Sequence, residues 1–234
     1  MKTKEQVELD LRSNTANHRG FNAPLHFRPL RMTDTPLLAP VIRANARSIR
    51  GYLGTFQNAD LWDIQNAKKF VARCLNDDFP TFHYLFFIGD ELVGMASLHS
   101  YAGSLRDVQV VLAVFGNKYQ GHGIGTRIGS TMKQVAFEVW GFESFWWLVD
   151  ATNKPSIAAA QKVGLQLSHK WEDAVKHAEL ESGKWFAFFQ RRPENLGPGI
   201  LQGAEMEYWG ESRTLSHLDA VLNARVSTRS KTIV

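Results

Sequence analysis

Residues 119–125 read Tyr-Gln-Gly-His-Gly-Ile-Gly, with glycine at three of the last five positions. Glycine loses more backbone freedom on folding than any other residue, so such a cluster needs a physical reason. The stretch lies between an apolar run at residues 108–115 and a helical pattern that follows it. A strand, a glycine-rich loop and a helix N-terminus present backbone N–H groups at the positive end of the helix dipole. We therefore predict an anion-binding loop, because removing side chains lets a phosphate reach those donors.

A tight turn that uses glycine for its positive φ is the alternative, and a single glycine would satisfy it. Glycines at the alternate positions 121, 123 and 125 fit that alternative poorly. Two common phosphate-binding patterns do not match. The loop lacks the lysine of the P-loop, and its spacing is GxGxG followed by Thr126, whereas the dinucleotide pattern is GxGxxG.

Composition places the chain among globular proteins, since 44% of its 234 residues are hydrophobic and 21% are charged. The formal net charge is +4, and the basic segment RVSTRSK (residues 225–231) is too short to predict a nucleic-acid partner. No apolar run approaches the ~18 residues of a membrane span, and the polar N-terminus does not resemble a signal peptide. We therefore expect a cytoplasmic protein with no membrane partner. With one cysteine, Cys74, and no HExxH spacing, we expect neither a disulfide nor a metal site.

Hydrophobic periodicity predicts the element order βααβββαβαββ, an α/β fold with helices on both faces of a sheet. Strands are expected at residues 25–30, 82–88, 91–101, 108–115, 144–149, 165–171 and 185–191. Helices are expected from a cap at Thr33 or Asp34 to about residue 47, from a capping box at Asp60 and Asp63 to residue 75, after the glycine loop, and at residues 153–163. We interpret residues 1–23 as an N-terminal extension, 24–192 as one domain, and 193–234 as a C-terminal extension with a short amphipathic helix.

Residues 120–125 also match the pattern Q/R-x-x-G-x-G/A, the pyrophosphate loop of the GNAT superfamily of acyl-CoA-dependent N-acetyltransferases. Two further segments resemble the same family in the same order, FIGDELVGMASL (87–98) and DATNKPSIAAAQKVGLQ (150–166). HFRPLRMTDTPLLAPVI (26–42) and ESGKWFAFFQRR (181–192) resemble the branch that acetylates ribosomal-protein N-termini, the Rim type. The chain is therefore identified as a member of this family over about residues 25–192.

The resemblance implies a mixed, mostly antiparallel twisted sheet in which strands four and five run parallel and splay apart. It implies that the pantetheine arm of acetyl-CoA lies between them and pairs with the backbone of Ala113, Val114 and Phe115. The pyrophosphate would be held by the loop residues Gln120, Gly121, His122, Gly123, Ile124, Gly125 and Thr126, with Lys118 and Arg127 as additional charges. Asn153 and Ser156 would complete the acyl-CoA site.

The implied reaction transfers an acetyl group from the thioester to a primary amine, which attacks only when it is neutral. Many relatives place a tyrosine near the sulfur, but the matching position here is Ala160. Ser156, with Asn153, is then expected to serve the leaving thiolate, and a helix-cap role for Ser156 is the alternative. Relatives often carry a glutamate where this chain has Gln109-Val110-Val111, so the general-base candidates rest on location alone: Asp107, His99 and Glu91.

The resemblance places the acceptor wall in residues 47–62, where Tyr52, Phe56 and Trp62 would line it, and packing of these residues onto the sheet is the alternative. Because this segment holds no carboxylate cluster, a peptide α-amine or a small amine is favoured over a polycation. The alternative to an active acetyltransferase is an acyl-CoA-binding sensor or interaction module with little turnover. A homodimer is left open.

Overall fold

The computed structural model describes residues 24–45, 64–76, 81–100, 106–168 and 185–196. Several predictions lie outside the described residues, namely both extensions except residues 193–196, the capping box at Asp60 and Asp63, and the acceptor-wall residues Tyr52, Phe56 and Trp62.

A seven-stranded sheet forms the centre of the domain. Its strands are β1 (Leu25–Pro29), β2 (Phe82–Ile88), β3 (Glu91–Ser100), β4 (Asp107–Val114), β5 (Ser144–Asp150), β6 (Gln166–Leu167) and β7 (Trp185–Arg191). They lie in the order β1-β2-β3-β4-β5-β7-β6. Every neighbouring pair is antiparallel except β4 and β5, which are parallel. The predicted mixed, mostly antiparallel sheet is confirmed.

In the described part of the chain, four helices flank the sheet: α1 (Thr35–Asn45), α2 (Ile64–Asn76), α3 (Ile124–Gln134) and α4 (Lys154–Lys162). A π-helical turn at Val135–Val139 extends α3. Successive strand residues point to opposite faces, so Leu85 and Phe86 belong to different core clusters. Leu85 packs with residues of α1 and α2. Phe86 packs with residues of α3 and α4, so the predicted helices on both faces are confirmed.

The start of α1 differs from the predicted cap. A 3₁₀ turn, Met32–Asp34, precedes the helix, and the Asp34 carboxylate accepts a hydrogen bond from the Arg31 N–H at 2.8 Å. The same carboxylate is buried and is held by two hydrogen bonds from the Arg28 guanidinium, at 2.6 and 2.7 Å. Asp34 therefore fixes the turn before the helix, and the prediction that Thr33 or Asp34 caps α1 directly is wrong.

The parallel pair β4 and β5 forms a fork. The two strands pair from Asp107–Ser144 to Val110–Trp147, and no further pairing joins residues 111–114 to residues 148–150. At the closed end the Ser144 hydroxyl donates a hydrogen bond to the Asp107 carboxylate. The strands therefore separate toward their carboxyl ends, as the family resemblance implies.

Two glycines let α3 lie close to the sheet. A Cβ added to Gly94 of β3 would lie 2.6 Å from Ile128 Cδ1 and 2.8 Å from the carbonyl oxygen of Ala113. A Cβ added to Gly129 of α3 would lie 2.6 Å from the Trp147 ring. Because real Cβ atoms do not approach other heavy atoms this closely, both positions depend on the absence of a side chain.

We expect Gly94→Ala to lower the free energy of unfolding by roughly 1–3 kcal/mol, because the backbone carbonyl of Ala113 cannot move aside cheaply. Urea unfolding followed by circular dichroism measures the change. Gly125→Ala is the matched control, since its Cβ would lie 3.6 Å from Val114 Cγ2, an ordinary contact. A Gly94→Ala variant as stable as the wild type would show that the close approach is not required.

Candidate active site

The glycine loop leads from β4 into the N-terminus of α3. Gly121 and Gly123 both have a φ of 78°, and Gly123 is the residue that caps α3. The Arg127 N–H donates to the Gly123 carbonyl at 3.0 Å. The amides of Ile124, Gly125 and Thr126 precede this bond, so they lie in the first turn, where helix N–H groups have no intrahelical acceptor.

Glycine occurs at residues 121, 123 and 125 for different physical reasons. The positive φ of Gly121 and Gly123 is the left-handed conformation that glycine adopts without strain, so the tight-turn alternative accounts for both. Gly125 lies inside α3, and the protein has room for a Cβ at this position. Backbone geometry therefore does not require glycine at residue 125, and the anion-binding hypothesis rests on this position.

Two positively charged side chains near the loop, those of Lys118 and Arg127, are either paired or buried within the protein. The Lys118 ammonium forms an ion pair with Glu91 at 2.8 Å, and the Tyr119 hydroxyl donates to the same carboxylate at 2.5 Å. Hydrogen bonds from Lys118 and Tyr119 hold the pKa of Glu91 below its usual value, which makes Glu91 a weaker base. Arg127 is buried, and desolvation lowers its pKa. The backbone amides therefore remain the main candidates for holding an anion.

Backbone groups of β4 alternate between β3 and the gap of the fork. The Phe115 N–H donates to the Val93 carbonyl on β3 at 2.8 Å, and the Ala113 carbonyl lies against Gly94 of the same strand. Because alternate strand residues direct their backbone groups to opposite sides, Leu112 and Val114 direct theirs into the gap. Of the expected residues Ala113, Val114 and Phe115, only Val114 therefore has the required orientation. Sequence reasoning missed Leu112, which alternation along the strand would have found once the register with β3 was known.

Helix α4 begins at the open end of the fork, directly after β5. The Asn153 N–H donates to the Asp150 carbonyl at 2.9 Å, and the Asn153 side-chain oxygen accepts from the Ser156 N–H at 3.1 Å. Asn153 is therefore the helix cap, and the alternative that Ser156 serves as the cap is wrong. The Ser156 side chain is half-buried in the first turn of α4. Ala160, one turn later, is fully buried in the core.

Asp107 lies at the closed end of the fork. Its carboxylate accepts from Ser144, whose hydroxyl oxygen in turn accepts from the Trp146 indole N–H at 2.5 Å. Strand residues advance by about 3.3 Å each, so Asp107 lies roughly 16 Å along β4 from Leu112. This geometry favours a structural role for Asp107, which joins the two strands and orients the indole.

His99 has both ring nitrogens against protein hydroxyls. Its Nε2 lies 2.6 Å from Ser97 Oγ, and its Nδ1 lies 3.5 Å from Thr81 Oγ1. The ring also packs edge-on against His83, with the ring centroids 5.7 Å apart. Burial lowers the pKa of His99 to about 4. The two nitrogens are thus directed at Ser97 on β3 and at Thr81 just before β2, which favours a structural role over a general base.

The open end of the fork therefore brings together the glycine loop, the gap-facing backbone of Leu112 and Val114, and Ser156 with its cap Asn153. The N-termini of α3 and α4 follow the carboxyl ends of β4 and β5, so both helix dipoles direct their positive ends here. Within the described ranges, no three His, Cys, Asp or Glu side chains cluster as a metal site would require. No helix in the described part of the chain is long and apolar enough to cross a membrane.

Comparison with known proteins agrees with this geometry. The family model of the acetyltransferase (GNAT) domain matches residues 25–166. The chain belongs to the GNAT acetyltransferase family. It is therefore an acyltransferase, as the sequence predicts. A search of curated proteins finds no match to this GNAT chain.

Solved structures show the same GNAT fold. RimL, a ribosomal L7/L12 alpha-N-protein acetyltransferase in complex with coenzyme A, has 16% identity and a TM-score of 0.59, covering 74% of this chain and 96% of its own. Mycobacterium smegmatis RimJ in complex with CoA-disulfide has 15% identity and a TM-score of 0.60, covering 75% and 86%. Vibrio cholerae spermidine N-acetyltransferase in complex with CoA and spermine has 10% identity and a TM-score of 0.56, covering 72% and 95%. At these identities the likeness shows the fold.

His83 is a buried titratable group in the sheet of this GNAT domain. The side chain is buried, and neither ring nitrogen has a hydrogen-bond partner among the described residues. Burial, with a smaller contribution from His99, lowers the pKa of His83 to about 3. A histidine in the unfolded chain titrates near pH 6.5, so between these values the unfolded state binds more protons than the folded state.

We expect the free energy of unfolding to fall as the pH drops from about 6.5 toward 4, by about 1.4 kcal/mol per pH unit for His83 alone. Urea unfolding between pH 7.5 and 4.5 measures the slope. His83→Phe keeps an aromatic ring but removes the titrating group, so its slope should be smaller by about one proton. Equal slopes for both proteins would contradict this account of His83.

Proposed function

We propose that this chain transfers an acetyl group from acetyl-CoA to a primary amine, either a peptide N-terminal α-amine or a small-molecule amine. The observation that carries the proposal is the end of β4–β5 pairing after Val110 and Trp147, at the point where two helix N-termini converge. A gap lined by backbone groups and followed by a glycine loop at a helix N-terminus suits a long ligand with a phosphorylated end.

The described residues fit acyl-CoA in two parts. Leu112 and Val114 offer backbone groups with which the amide-containing pantetheine arm can pair as an added strand would. The first-turn amides of α3 can accept the pyrophosphate, because Gly125 leaves the surface of that turn without a side chain. This assignment replaces Ala113 and Phe115 by Leu112, and it retains the predicted loop residues Gln120 to Thr126.

The chemistry follows from the same arrangement. A neutral amine attacks the thioester carbonyl, and negative charge develops on its oxygen. Gap-facing N–H groups of β4 are fixed dipoles that can stabilise this oxyanion without reorganising. Collapse of the tetrahedral intermediate breaks the carbon–sulfur bond, and the proton that the attacking nitrogen loses neutralises the departing thiolate. We expect the Ser156 hydroxyl, half-buried in the first turn of α4, to hydrogen-bond this thiolate and to relay that proton to it.

The amine is proposed to approach on the sheet face that α1 and α2 cover. Trp146 lies on this face because its neighbours Phe145 and Trp147 belong to the opposite core cluster. Its ring stacks on Phe189 with centroids 4.9 Å apart, and the Ser144 hydroxyl holds its indole N–H. Such an aromatic pair supports an acceptor with an apolar part near the amine. The named neighbours act on a ribosomal protein and on spermidine, so the fold alone does not select between a peptide and a small amine.

An acyl-CoA-binding sensor or interaction module with little turnover is the second candidate. Two features of the chain favour it. The position of the family's tyrosine is the buried Ala160, and Gln109-Val110-Val111 stands where relatives often carry a glutamate. Both candidates require acyl-CoA binding, so turnover is the property that separates them.

Acetyl-CoA at 100 times its dissociation constant should stabilise the fold by about 2.7 kcal/mol, whereas NAD and ATP should have much less effect. Gly125→Ala should weaken CoA binding by roughly tenfold, or about 1.4 kcal/mol, because the new methyl group occupies the surface that the pyrophosphate approaches. Thermal unfolding with and without each ligand measures the stabilisation, and isothermal titration calorimetry measures the affinity for CoA. Unchanged affinity in a folded Gly125→Ala protein would show that the loop is a turn and not an anion site.

Ser156→Ala should lower kcat by roughly ten- to a hundred-fold while the KM for acetyl-CoA changes little, since the pyrophosphate loop is intact. The measurement is thiol release from acetyl-CoA with a panel of peptide and small-molecule amines. Wild-type release with an amine would support the enzyme, whereas CoA binding without release would support the sensor. A Ser156→Ala protein with wild-type kcat would rule out a chemical role for this hydroxyl.

A further inference from the structure

The side chain of Asn45 connects α1 to the end of strand β4. Asn45 is the last residue of α1, and its Oδ1 accepts a hydrogen bond from the Gly116 N–H at 2.7 Å. Its Nδ2 donates to the Val41 carbonyl, also at 2.7 Å. The second bond fixes which way the carboxamide faces, so the oxygen is held toward Gly116. The two bonded residues are 71 positions apart in sequence.

Gly116 is the point where the gap-facing strand becomes the glycine loop. Backbone alternation places its N–H on the same side of β4 as the groups of Leu112 and Val114. Its φ of 76° then turns the chain away from the strand. The Gly116 carbonyl accepts the Tyr119 N–H at 3.0 Å and so begins the 3₁₀ turn that leads into the loop. The direction of this turn therefore depends on how the Gly116 peptide is held.

We propose that Asn45 is a positioning residue for acyl-CoA. By holding the Gly116 amide, its side-chain oxygen sets the angle between two parts of the proposed acyl-CoA site. One is the gap-facing backbone of β4, which would pair with the pantetheine arm, and the other is the first turn of α3, which would hold the pyrophosphate. It does not contact the reacting atoms. The inference rests on the proposed acyl-CoA site and adds to it a residue from a distant helix that sequence reasoning did not single out.

A second anchor holds the other end of the same turn. The buried Tyr119 side chain donates to Glu91 at the start of β3, as described above. This bond is independent of Asn45. Loss of the Asn45 oxygen should therefore shift Gly116 without unfolding the turn, and the effect should show in ligand binding more than in stability.

The test compares four proteins by calorimetric CoA binding, steady-state kinetics with acetyl-CoA and thermal unfolding. Asn45→Leu keeps the approximate shape but removes the acceptor, and it should raise the Kd for CoA and the KM for acetyl-CoA roughly tenfold, with kcat within about threefold of wild type. Asn45→Asp retains the acceptor oxygen for Gly116 but loses the donor to the Val41 carbonyl, so its affinity for CoA should lie between that of Asn45→Leu and that of the wild type. Arg43→Gln changes an exposed side chain in the same helical turn and should match the wild type.

The outcomes separate this inference from the proposed function. If the wild type does not bind CoA, the acyl-CoA site itself is wrong. If the wild type binds CoA and a folded Asn45→Leu binds equally well, the positioning role is overturned. Equal loss in Asn45→Leu and Asn45→Asp also overturns it, because the acceptor oxygen would then not be the feature that matters. Asn45→Ala provides the same test should the leucine variant fail to fold.

Discussion

The structure depends on the short pairing between β4 and β5. The strands pair over only four residue positions, whereas β5 pairs with β7 along its whole length from Ser144 to Asp150. The edge of β5 that faces β7 is therefore paired along its whole length. Within the described residues, the end of β4 has no strand paired to it on the gap side. Backbone groups are strong donors and acceptors that are nearly always satisfied. The gap-facing groups of Leu112 and Val114 therefore suit a ligand that carries its own amides, such as the proposed acyl-CoA, and helices α3 and α4 both begin at this end of the fork.

The second requirement is the position of α3. Gly94 removes a side chain where Ile128 approaches β3, and Gly129 removes one where Trp147 approaches the helix. Close packing of this kind leaves little freedom for the helix to slide, because protein interiors are nearly as dense as crystals. The start of α3 is then set relative to the end of β4, while Asn45 and Glu91 hold the connecting turn from outside the helix. Gly94 and Gly129 in the core, and Asn45 and Glu91 at the loop, thus all help to fix the start of α3 relative to the end of β4.

Much of the fold could be predicted because its signals are local. The β2–β3 hairpin, the apolar β5 strand and the start of α4 beside Pro155 are all encoded in short stretches, and each lies close to where the sequence pattern predicts it. The site was predicted less completely because it depends on non-local register. The direction of the Phe115 amide follows from its pairing with Val93, and the partners of His99 lie on β3 and just before β2. A strand pattern gives the face of a side chain but not the atoms that it meets, so Asp107 and His99 looked equally suited to catalysis.

Ala160 bears on why the proposed proton donor lies at the start of α4 and not deeper along it. This residue is fully buried in the core cluster that contains Ile128 and Trp147. A Cβ on Gly129 would also lie 3.2 Å from Val163 Cγ2, so the two helices are packed closely. A larger side chain at residue 160 would have to displace this packing, which typically costs about 1–3 kcal/mol. The packing of α4 against α3 in this chain therefore disfavours a bulky acid at residue 160. A hydroxyl in the first turn, outside the packed interface, is compatible with both the core and the fork, and Ser156 occupies that position.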